Sequence, residues 1–84
     1  MIKHLAEAWD AVFETPTQKL VALSLADVAD QDGLVDLSAN HIAARSNLTP
    51  DGLELVLEEL KRQSWAVPTK DPDRWMIIGE PSDA

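Results

Sequence analysis

The sequence predicts a mainly helical domain closed by a small C-terminal β-hairpin. Three observations carry that expectation: apolar residues recur at helical spacing in successive stretches, Thr15, Ser38 and Thr49 stand where N-caps belong, and the pattern changes to that of strands at Trp65. With 84 residues there is room for one core, and a domain this small buries only roughly 60–65% of the surface its unfolded chain exposes. Residues 1–84 are therefore read as one domain. Its parts are an N-terminal helix over 1–14, a helical core over 15–64, a hairpin over 65–79 and a polar tail over 80–84.

In the first stretch Ile2, Leu5, Ala6, Trp9, Val12 and Phe13 share one face of a helix, with Lys3, Glu7, Asp10 and Glu14 away from it. Thr15 then serves as N-cap, Pro16 as the first helical residue and Gln18 as the capping-box partner of a second helix. From Leu20 to Ala29 that helix is apolar almost all round, with Ser24 and Asp27 as its polar stripe, so it is expected at the centre. Gly33, free to take a positive φ, ends the turn that follows Asp30.

Leu34–Leu37 reads as a short extended piece, and Ser38 as the cap of a brief helix over about 39–46 that turns Ile42 and Ala43 inward. Asn47-Leu48-Thr49 makes a tight turn, Asn being the non-glycine residue that best accepts the left-handed conformation. Thr49 and Pro50 open a helix to about Gln63, with Leu53, Val56, Leu57 and Leu60 on its inner face. Trp65–Thr69 and Arg74–Ile78 are two strands around the turn-rich Lys70-Asp71-Pro72-Asp73; Pro68 belongs at an edge or a strand end.

A short helix, a three-residue turn, a second helix and a hairpin resemble a winged helix-turn-helix, with the motif over 38–63, the wing over 65–79 and an extra N-terminal helix. Six positions fit that template: Ile42, Ala43, Asn47, Leu48, Leu53 and Val56. The stretch from Thr17 to Asp27, with its Lys19-Leu20 opening and Ala26-Asp27 pair, followed by Asp32-Gly33, resembles the winged-helix domains of phage and prophage replication-initiation proteins. The resemblance covers roughly residues 15–79. It implies a phage or mobile-element protein that acts on DNA as a replication or transcription accessory, the second helix of the motif entering the major groove.

Composition pulls the other way. Seven Lys and Arg stand against fifteen Asp and Glu, a net charge of −8, where a nucleic-acid binder ordinarily shows a basic footprint. On the helix expected in the groove, the outward residues are Pro50, Asp51, Glu54, Leu55, Glu58 and Glu59, with Lys61 and Arg62 only at its far end. If DNA is the partner, the contacts fall to Arg45, Lys61, Arg62, Lys70 and Arg74. The alternative is an adaptor or inhibitor whose acidic helix, through Asp51, Glu54, Leu55, Glu58 and Glu59, docks on a basic protein surface. Leu55, apolar and ringed by charge, suits such a partner.

Other chemistries find little support. The absence of Cys removes disulfides, thiolate metal sites and cysteine nucleophiles, and no nucleophile elbow, phosphate-cradling glycine loop or catalytic triad is present. Asp30-x-Asp32-Gly33 resembles part of a calcium loop, but the first and twelfth loop positions would be Val28 and Ala39. His4 and His41 lack metal-ligand spacing, and Glu58-Glu59 reads as a solvated face. No enzyme activity, metal, cofactor or small-molecule substrate is expected. Trp65 and Trp75 are assigned to core packing, and Trp9 to the core or, with Ile2 and Phe13, to a homodimer contact. The first residues meet Glu7 and Asp10 before any apolar run long enough for a signal peptide or membrane span, so a soluble cytoplasmic chain is expected.

Overall fold

The computed structural model describes residues 2–78, with side chains from Leu5 onward. In chain order the elements are α1 (Ile2–Asp10), α2 (Pro16–Val28), β1 (Leu34–Asp36), α3 (Ile42–Arg45), α4 (Pro50–Arg62), β2 (Ala66–Pro68) and β3 (Arg74–Ile77). The class is α+β: four helices and one antiparallel sheet of order β1-β3-β2. Leu34 pairs with Met76 and Asp36 with Arg74 on one side of β3, while Ala66 pairs with Ile77 and Pro68 with Trp75 on the other. No helix among the described residues is long and apolar enough to cross a membrane.

Local chemistry accounts for most element ends. The Thr15 Oγ1 accepts the Gln18 N–H at 3.1 Å and the Thr49 Oγ1 accepts the Gly52 N–H at 3.0 Å, so both threonines cap as their positions require. Gln18 departs from a strict capping box: its Oε1 accepts the N–H of Glu14, one residue before the cap. The Asp30 carboxylate accepts the N–H groups of Asp32 and Leu34, and Gly33, at φ 84°, turns the chain into β1.

Helices α3 and α4 close in the same way. Asn47 at φ 59° and Ser64 at φ 62° are left-handed residues just past the caps. After α3, Leu48 N–H reaches the Ala43 carbonyl at 2.8 Å and Asn47 N–H the Ala44 carbonyl at 3.1 Å. After α4, Trp65 N–H reaches the Leu60 carbonyl at 2.9 Å and Ser64 N–H the Lys61 carbonyl at 3.0 Å. Each is a Schellman closure, which satisfies the last carbonyls and aims the following apolar residue back at the core.

Helix α2 is central, touching α1, α3 and α4. Its Val21, Ala22, Leu25 and Ala26 belong to one continuous core with Leu53, Val56, Leu57 and Leu60 of α4, Val35, Trp75 and Ile77 of the sheet, Ile42 and Trp65. Both Trp65 and Trp75 are buried, and the Phe13 ring stands edge-on to Trp65 with centroids 5.8 Å apart.

Four expectations need correction. The extended piece read at 34–37 is a strand, but the expected two-stranded hairpin is a three-stranded sheet, because β1 pairs with β3 some forty residues on. The first helix ends at Asp10 rather than at residue 14, and Trp9 is 61% exposed, so it is no core residue. The small Ala8, fully buried beside half-buried Leu5, lets α1 lie close on α2; the phase that would bury Trp9 is displaced. Ser38 caps no helix: the Asp36 carboxylate takes the Ala39 N–H, residues 37–41 are spent on a turn, and α3 begins at Ile42 after His41 at φ 51°. Within the apolar run of α2, Leu20 is exposed. The tail over 80–84 and the side chain of Ile2 lie outside the described residues.

Candidate functional site

The outward face of α4 is set by the burial of its inner one. With Leu53, Val56, Leu57 and Leu60 committed to the core, Asp51, Glu54, Leu55 and Glu58 point to solvent, and Leu55 is 68% exposed at their centre. Among the described residues Asp51, Glu54 and Glu58 are in no ion pair. Glu59 stands apart from them: half-buried, it accepts the Gln18 carboxamide at 2.7 Å and so belongs to the α2–α4 contact. Asp51 in the first turn and Lys61 and Arg62 in the last lie where the helix dipole favours each sign.

Three of the five cations have a carboxylate neighbour. Arg45, on α3, is paired with Asp27 of α2. Arg74, at the start of β3, lies 3.6 Å from Asp71 and 4.0 Å from Asp36. Arg62 is 4.0 Å from Glu14. Lys61 at the end of α4 and Lys70 in the hairpin turn are exposed and have no ion-pair partner among the described residues.

Sequence reading missed these carboxylate neighbours, because Asp27, Asp36 and Glu14 are remote in sequence from the residues they lie beside. It also missed a second surface at the other end of α4. There the C-terminal end of α1 and the link into α2 leave a groove of about 410 Å³ beside Gln63 and Trp65, with Val12 standing 93% exposed at its edge. No group of His, Asp or Glu that could hold a metal ion occurs among the described residues. No family model, curated protein or solved structure matches the chain.

Proposed function

We propose that this chain is a non-enzymatic winged-helix adaptor or inhibitor that docks on a basic surface of a partner protein through the outward face of α4. The order of parts supports the winged-helix reading: helix, strand, helix, helix, then a hairpin whose last strand pairs with the first strand. One observation carries the choice of partner. Arg45, Arg62 and Arg74 each have a carboxylate neighbour, while Asp51, Glu54 and Glu58 surround an exposed Leu55 and have no ion-pair partner among the described residues. Such a ring steers a basic partner and repels phosphates, and the leucine at its centre supplies the apolar anchor.

Docking on DNA is the second reading, favoured by the helix-turn-helix order itself and by Lys61 and Lys70 as available donors. Charge reversal at Glu54 separates the two. Under protein docking, Glu54→Lys and Glu58→Lys slow association, Leu55→Ala raises the off-rate, and a mixed-sequence DNA duplex stays unbound by all variants. Tighter, steeply salt-dependent duplex binding by Glu54→Lys, with weaker binding by Arg74→Ala, would overturn the protein reading in favour of DNA.

A further inference from the structure

We propose that the groove between the C-terminal end of α1 and the C-terminal end of α4 takes an arginine side chain presented by a partner protein. This surface lies at the opposite end of α4 from Glu54 and stands whether or not the α4 face binds protein. Its size, about 410 Å³, is within the range of sites that enclose a ligand group.

The chemistry of the lining selects the occupant. Side-chain oxygens of the lining offer hydrogen-bond acceptors there. Asp10 brings a carboxylate from α1, and among the described residues no Lys, Arg or His lines the groove. Gln63 spends its Nε2 on the Gln18 Oε1 at 2.8 Å and the Glu59 carbonyl at 3.4 Å, and its own Oε1 has no hydrogen bond among the described residues. Asp10 is in no ion pair among the described residues, and as the last residue of α1 it adds its charge to the negative end of the helix dipole.

The remaining wall is carbon. Val12 and Phe13 form one side, and Trp65, 2% exposed with its Nε1 shut away from solvent, backs it. A guanidinium has five N–H donors and no acceptor, and its methylene stem covers apolar surface while the planar head lies against aromatic rings. Lysine offers three donors at a point and no planar face, so it fits this wall less well.

The test is an NMR titration of the full chain with acetyl-Leu-Arg-Leu-amide and with the same peptide carrying citrulline, its neutral isostere, in place of arginine. The arginine peptide is expected to move the signals of Val12, Phe13, Gln63 and Trp65, and the citrulline peptide to bind about tenfold more weakly. Asp10→Asn should weaken the arginine peptide by about the same factor, and Val12→Ser should weaken both peptides. Asp10 and Val12 are exposed, so both variants keep the fold, and unchanged melting curves check this. Glu54→Lys should leave the titration unchanged, which separates failure of this site from failure of the α4 face. Equal binding of the two peptides, shifts confined to residues 51–58, or no movement at about 10 mM peptide, where a millimolar site is filled, would overturn the proposal.

Discussion

The Gln18 carboxamide, 1% exposed, donates to Glu59 Oε1 at 2.7 Å across 41 residues of sequence. The same side chain accepts from the Glu14 N–H at 3.0 Å and from Gln63 Nε2 at 2.8 Å, so one buried amide joins the α1–α2 link, α2 and the end of α4. Gln18→Ala leaves those three partners without it and opens a void, a loss expected at about 2–3 kcal/mol. Urea unfolding of the variant measures it. A midpoint equal to wild type would show that water replaces the amide at no cost.

Ser64 closes α4 at φ 62°, a conformation that costs a residue with a Cβ and costs glycine nothing. Ser64→Gly is expected to stabilise the chain by about 0.5–1 kcal/mol, after the greater entropy of glycine in the unfolded state is subtracted. Asn47→Gly, at φ 59°, should gain less, because Asn already tolerates the left-handed region. Thermal melts of the two variants rank them. A loss of stability in Ser64→Gly would mean that the serine hydroxyl contributes more than the backbone relief.

The two leucines two residues apart on α4 should behave oppositely. Leu57 is in the core, and Leu57→Ala is expected to cost about 2–5 kcal/mol. Leu55 is exposed, so Leu55→Ala should stay within about 0.5 kcal/mol of wild type. Equal losses at both sites would place the wrong face of α4 against the core.

How much of this could be read in advance follows from the range of each interaction. The caps at Thr15 and Thr49, the left-handed Asn47 and the inner face of α4 are decided within a few residues, and spacing alone finds them. The phase of α1 is not decided that way. Leu5 and Trp9 are as good a helical pair as Leu5 and Ala8, and the approach of α2 selects the smaller residue. Asp36 illustrates the same limit twice: its strand forms against β3, and its carboxylate ends up on the Ala39 N–H and beside Arg74. The candidate site divides likewise. Leu55 in its acidic ring is visible on a helical wheel, whereas the pairing of Arg45 with Asp27 and the groove beside Trp65 arise only when α1, α2 and α3 pack together.

That pairing of Arg45 with Asp27 gives the last prediction. Both side chains are about half exposed, so breaking the pair should change stability by less than about 1 kcal/mol, which leaves binding as the informative readout. In Asp27→Asn the guanidinium is released from its carboxylate, and the net charge becomes less negative by one. If the chain works on DNA, affinity for a mixed-sequence duplex should rise, and the slope of log K against log salt should steepen by about 0.9 as one more phosphate is neutralised. If it docks on a basic protein surface through α4, the released cation lies off the docking face, and partner affinity should be unchanged within about twofold. Anisotropy titrations across a salt series distinguish the two. A stronger duplex complex with the steeper slope would count against the protein reading, and an unmoved duplex curve would leave Arg45 without a nucleic-acid role even when its ion pair is gone.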